Sequence, residues 1–198
     1  MGRFVAMDSP AADAIVADAV ARIGKAIDAM RIPNLAGVVL GGGYGRGEGG
    51  VIEECRLSND LDFFAITEDG ASAAEIAAIA AALEPVSKEW SVKIGIDVDF
   101  TVRTPWRIKH DEERLMIQEL VRGYFDVAGQ RGETLFSAIR RIDASEIPWT
   151  EAVRLMMNRG MGLMLAHGEM GNGERGTGNG ERGTGNRERG TGIAGSPK

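Results

Sequence analysis

After Ser9-Pro10, apolar residues recur at helical spacing through Ile15, Val16, Ala19, Val20, Ile23 and Ile27, predicting an amphipathic helix that ends near Met30. Ser9 supplies an N-cap and Pro10 suits the first helical position. Pro33-Asn34 breaks the pattern, and Ala36-Gly37-Val38-Val39-Leu40 reads as a short buried strand. Leu61, Phe63 and Ala65 alternate with Asp60, Asp62 and Phe64 in a second strand. Ser72 and Glu75 form a capping box that opens an alanine-rich helix from Ala73 to about Leu83, with Pro85 as its stop. From Val92 to Val102 the alternation is strict. Val92, Ile94, Ile96, Val98, Phe100 and Val102 share one face of a predicted third strand, and Lys93, Gly95, Asp97, Asp99 and Thr101 the other. Thr104-Pro105 opens a helical region through Leu115, Ile117, Leu120 and Val121, with further helices expected over 133–142 and 150–166.

The chain has 198 residues, 43% of them hydrophobic, enough for one substantial core. No stretch approaches the roughly 20 apolar residues of a membrane span, and the N-terminus has no signal-peptide pattern, so a cytoplasmic protein with no membrane partner is expected. Cys55 is the only cysteine, and His110 and His167 are the only histidines, which excludes a cysteine-rich zinc site. The net charge is −6, and residues 1–170 alone, with 18 Lys/Arg against 26 Asp/Glu, carry −8. An acidic body does not grip duplex nucleic acid, which calls for clustered cations. It leaves open a small anionic nucleotide carried in with metal ions.

The first predicted strand runs straight into Gly41-Gly42-Gly43-Tyr44-Gly45-Arg46-Gly47-Glu48-Gly49-Gly50, seven glycines in ten residues. That is more than a tight turn between strands requires. The run satisfies G-x-G-x-x-G, but only residues 51–59 separate it from Asp60, too few for a dinucleotide-binding crossover helix. No Gly-Lys-Ser/Thr follows, which excludes a Walker A loop, and no kinase motifs lie downstream. Asp60-Leu61-Asp62 places two carboxylates on one strand face about 7 Å apart along the chain. Carboxylate oxygens suit Mg²⁺, with Mn²⁺ as an alternative, and two carboxylates beside a phosphate-binding loop suit phosphoryl displacement. Asp97 and Asp99 share the polar face of the third strand and either can complete the site.

Gly42-Gly43-Tyr44-Gly45-Arg46-Gly47-Glu48 followed by Asn59-Asp60-Leu61-Asp62-Phe63 resembles the nucleotidyltransferase superfamily related to DNA polymerase beta, and in its glycine loop the PII-uridylyltransferases. The resemblance covers residues 36–102. It implies an α+β nucleotidyltransferase fold: a short mixed β-sheet with helices on one side, then a helical C-terminal segment and a disordered tail. Gly42, Gly43, Tyr44, Gly45 and Arg46 are implied to bind nucleotide. Asp60 and Asp62 are implied to hold metal, with Asp99 as the third carboxylate and Asp97 its alternate. Arg46 either neutralises the departing pyrophosphate or pairs internally with Glu48 or another acid. The connection from Glu48 to Asp60 is longer than in the uridylyltransferases, and no histidine-rich phosphohydrolase segment follows, so activity on PII is not implied.

Three divisions are expected: a catalytic domain over 1–103, a helical segment over 104–170 and a tail over 171–198. In the tail Asn172–Gly178 is repeated at 179–185 and again, with Arg187 for glycine, at 186–192. These glycine-rich units lack a large apolar side chain and are expected to be disordered; an RNA-binding Arg-Gly segment is the functional alternative. The expected reaction moves a nucleoside monophosphate from an NTP to a hydroxyl of a protein or small-molecule acceptor. The rival is a non-catalytic, antitoxin-like binding module on the same fold.

Overall fold

The computed structural model describes residues 3–53, 55–110, 114–157 and 160–161. The chain divides between Ala152 and Val153 into two units. Of the second, residues 153–157 and 160–161 are described and are helical. The repeats of the tail lie outside the described residues.

The first unit is mixed α+β. Helix α1 (Pro10–Met30) starts where expected, with the Ser9 hydroxyl accepting the Ala12 N–H at 3.4 Å, and buries Val16, Val20, Ile23 and Ile27 along one stripe. Burial of side chains of this size contributes about 1.5–3 kcal/mol each. Strand β1 (Leu35–Leu40) leads through a single helical turn, α2 (Gly42–Gly45), into a small antiparallel hairpin of β2 (Val51–Ile52) and β3 (Arg56–Leu57). Strand β4 (Leu61–Thr67), helix α3 (Ala73–Ile94) and strand β5 (Val98–Arg103) form a parallel crossover unit. Short helices α4 (Pro105–His110) and α5 (Arg114–Arg122) precede β6 (Phe125–Gly129) and the turn α6 (Gly132–Leu135). The sheet order is β5-β4-β1-β6, with β4 antiparallel to β1, parallel to β5, and β1 antiparallel to β6.

The two faces of the sheet are covered differently. Val38, Leu40, Leu61, Phe63, Ala65 and Val98 pack with the stripes of α1 and α3, whereas Val39 and Ile66 pack with Ile108, Ile117, Leu120, Val121 and Phe136. Helices therefore cover both faces, not one as expected, because α4 and α5 fold back over the sheet. Residues 104–152 are also not a separate helical segment. They supply β6, which pairs with β1 and against which α1 packs so closely that it needs Gly24, where a Cβ would collide with the Val127 carbonyl. The run from Phe125 to Ala128 between Gly123 and Gly129 carries the aromatic and β-branched residues of a strand and was open to reading as one. The helix expected over 133–142 stops at Leu135.

A larger departure concerns Pro85. The Ser72/Glu75 capping box forms as expected, but α3 runs through the proline to Ile94, and β5 begins only at Val98. Val92, assigned by alternation to the strand's apolar face, lies instead on the helix and is 84% exposed. The reason is packing: Ile79 and Leu83 before the proline and Val86 and Trp90 after it form one buried stripe. Their shared burial outweighs the lost hydrogen bond and ring clash, about 3 kcal/mol. Because Pro85 itself is exposed, Pro85→Ala sacrifices no core contact. It is expected to raise stability by about 1–3 kcal/mol in urea denaturation, whereas a loss would show that the proline is accommodated without strain.

Candidate active site

The glycine turn and β4 are built against each other. Gly41 N–H donates to the Asp62 carbonyl at 2.8 Å, and Gly42 adopts a φ of +58°. A Cβ at Gly42 would collide with Asp62 Oδ2, so both the backbone conformation and the closeness of the carboxylate demand glycine there. Other glycines of the run serve the fold by close approach: a Cβ at Gly45 would strike the Leu40 carbonyl, and one at Gly49 the Tyr44 ring. Gly43 differs. Its φ is not positive, and a Cβ would make only ordinary contact with Glu48, 3.6 Å from the carbonyl oxygen. Of the adjacent pair Gly42-Gly43, the fold thus requires glycine at Gly42 and not at Gly43. The first-turn amides of α2 lack intrahelical acceptors, as at any helix start.

Tyr44 is turned inward, fully buried, its hydroxyl donating to the Gly50 carbonyl at 2.8 Å. Gly50 is pinned from the other side by Asn59, whose Oδ1 accepts the Gly50 N–H at 2.7 Å. Arg46 sits at the back of the turn with Nε 2.8 Å from Glu48 and a second nitrogen 3.3 Å from Glu119 of α5. Of the two roles open to Arg46, the structure shows the internal pairing. Sequence gave no sign of Glu119, which α5 brings from far along the chain, and Asn59 was visible only as part of the acidic motif.

Asp60 lies just before β4 and is exposed, while Asp62 is half-buried on the strand. The parallel register sets Asp62 opposite Asp99 on β5, and Leu61 N–H donates to the Asp97 carbonyl at 2.9 Å. Four aspartates are therefore carried at one end of two neighbouring strands. Partial burial, then the charges of Asp97 and Asp99, raise Asp60 above the usual carboxylate range. Burial, then Asp60 and Asp99, raise Asp62 likewise, against the opposing pull of Arg46. Among the described residues no hydrogen bond or ion pair engages the carboxylates of Asp60, Asp62 or Asp99.

Among the described residues, no three Asp, Glu, His or Cys side chains converge closely enough to hold a metal ion as they stand. The donors nevertheless suit a hard cation, being all carboxylate oxygen, and Asp60 and Asp99 are exposed beside the half-buried Asp62. A cleft of about 450 Å³ lies elsewhere, lined by Ile108, Arg114, Ile117 and Ile139. Gln118 in that cleft is already satisfied by the Arg140 carbonyl and the Ile142 N–H.

No family model matches the chain, and no curated protein does. Solved structures are similar to it. A chain of the mutant toxin–antitoxin complex MntA–HpeT is 14% identical, with 74% of this chain and 94% of that one covered at a TM-score of 0.35. A chain of the tri-AMPylated Shewanella oneidensis HEPN toxin in complex with MNT antitoxin is 15% identical, with 70% and 94% covered at a TM-score of 0.33. Likeness this slight carries no conclusion about activity. No helix among the described residues is long and apolar enough to cross a membrane.

Two outcomes follow from the geometry. Gly43→Ala is expected to leave stability within about 0.5 kcal/mol of wild type yet to weaken binding of a non-hydrolysable NTP in calorimetric titration, whereas Gly42→Ala costs stability itself, about 1–2 kcal/mol or more. Unchanged nucleotide affinity in Gly43→Ala would remove the loop from the binding site. For Asp62, a raised folded-state pKa means that the folded protein holds the proton more tightly than the unfolded chain. Its contribution therefore becomes unfavourable as pH rises from the unfolded value, about 3.9, through the raised one. Asp62→Asn is expected to melt higher than wild type near neutral pH, with the gap closing toward about pH 4. Thermal melts across that range check the sign.

Proposed function

We propose that the chain is a metal-dependent nucleotidyltransferase that moves a nucleoside monophosphate from an NTP to an acceptor hydroxyl. The observation that carries this reading is the unpartnered Asp62 carboxylate, set in register with Asp99 and packed directly against the glycine turn. Asp60, Asp62 and Asp99 are the residues that would hold Mg²⁺ or Mn²⁺. Such a cation, when bound, supplies positive charge to the phosphate oxygens. Gly43, with no side chain in the way, and the amides of the first turn of α2 bind the phosphates. Asp99 takes the proton of the acceptor hydroxyl; that oxygen bonds to the α-phosphorus as the bond to the pyrophosphate oxygen breaks, and pyrophosphate leaves. Arg46 positions the turn through Glu48 and Glu119, and its charge reaches Asp62.

A second reading, a nucleotide-binding module without catalysis, is favoured by two particulars: the carboxylates stand apart, and Arg46 is matched by two glutamates. Pyrophosphate release, measured with each NTP and cell extract as the source of acceptor, separates the two. Release that depends on Mg²⁺ and falls at least ~10²-fold in Asp99→Asn, and less in Asp97→Asn, is the expected result. The reverse order would make Asp97 the third carboxylate, and NTP binding without release would establish the second reading.

A further inference from the structure

We infer that Ser87 and Ser91 of α3 are positioning residues of the carboxylate site, because together they hold the backbone of the single residue between Asp97 and Asp99. This rests on the metal-binding reading of Asp60, Asp62 and Asp99. Ser87 Oγ donates to the Val98 carbonyl at 2.6 Å, and Ser91 Oγ accepts the Val98 N–H at 2.9 Å. All three residues are buried or half-buried.

The geometry explains why two serines are needed. β5 is the edge strand of the sheet. In a parallel ladder alternate residues turn their N–H and C=O to opposite sides. The Asp97 carbonyl faces β4, where it accepts from Leu61 N–H, so both polar groups of Val98 face away, toward the open edge. Left there, they would be an unpaired donor and acceptor at a partly buried edge. Serines four residues apart on one helix face meet both, as a neighbouring strand would. Val98 is thereby held on both sides, by its side chain in the core and by its peptide groups on α3. With its dihedrals held, the directions in which Asp97 and Asp99 leave the strand relative to Asp62 are held too.

This also gives the passage of α3 through Pro85 a consequence for the site. Both serines lie beyond the proline, so a helix that ended at Leu83 would leave the start of β5 without its clamp. Groups hydrogen-bonded to metal ligands typically cost 10–100-fold in metal affinity when lost, and the serines act on Asp97 and Asp99 one step back, through the backbone of Val98.

The test uses the full chain and Mn²⁺ alone, with free ion read by electron paramagnetic resonance well below the melting temperature. Ser87→Ala/Ser91→Ala is expected to weaken Mn²⁺ binding about 10–100-fold, while Ser91→Thr, which keeps the accepting oxygen, stays within about 3-fold of wild type. Ile79→Val, a core change on the same helix, lowers the melting temperature without moving Mn²⁺ affinity, so general destabilisation is distinguished from positioning. Equal affinity in wild type and the double variant overturns the inference. If the double variant does not fold, Ser91→Ala alone decides, with at least ~3-fold weakening expected and none overturning it. Failure of wild type itself to bind Mn²⁺ overturns the carboxylate reading, and the inference with it, in an arm that involves no serine variant.

Discussion

The hydrogen bond from Gly41 N–H to the Asp62 carbonyl brings the end of β1 and the start of β4 together at the point where the chain must turn sharply. Everything at the candidate site depends on that approach. It allows no side chain at Gly42, sets the first turn of α2 beside a carboxylate, and leaves Gly43 half-buried with its nearest neighbours at ordinary contact distance. Behind the turn, the N-terminal segment closes the structure: Gly49 N–H donates to the Phe4 carbonyl and Ala6 N–H to the Gly49 carbonyl, both at 3.0 Å. Phe4 and Val5 are themselves buried in the core with α1. The turn is thus held at both ends by backbone hydrogen bonds and from beneath by Tyr44.

Charge at the site is arranged against stability. Asp60 and Asp62 are each raised by burial and by neighbouring carboxylates, and Arg46, whose charge opposes the shift at Asp62, is shared with Glu48 and Glu119. Like charges kept together without partners are a standing cost to the fold, and one that a structural role alone would not require. A cation bound there, as the proposed chemistry requires, would offset that repulsion. The remainder of the unit has the opposite character. Its exposed ion pairs, such as Arg22 with Asp18 and Lys88 with Glu84, lie one helical turn apart on solvent faces and contribute little.

Two levels of organisation place the carboxylates. The sheet register sets Asp62 against Asp99, and the helix behind the sheet sets the strand. α3 carries both the apolar stripe that anchors the crossover unit and the polar pair that meets the free edge of β5. A single element therefore couples the packing of the core to the geometry of the site, and its continuity through Pro85 is the condition for both.

Local signals settled much of this from the chain alone. The Ser9-Pro10 start of α1, the Ser72/Glu75 capping box, β1, the alternation of β4 and the acidic motif beside the glycine run all rest on residues within a few positions of one another, where propensity and periodicity act directly. The strand parity that grouped Asp97 with Asp99 was legible for the same reason. What only the tertiary structure decided involves partners distant in sequence. Strict alternation from Val92 looked like strand, yet residues 92–94 are helix because Trp90 completes a buried stripe begun at Ile79, an energy that no local window contains. Phe125–Gly129 became a strand because β1 had a free edge to pair with, α4 and α5 covered the second face because Val39 and Ile66 were there to bury, and Gly42 rather than Gly43 became the obligatory glycine because Asp62 arrives from another strand. Periodicity records which residues want burial; only the assembled sheet determines what buries them.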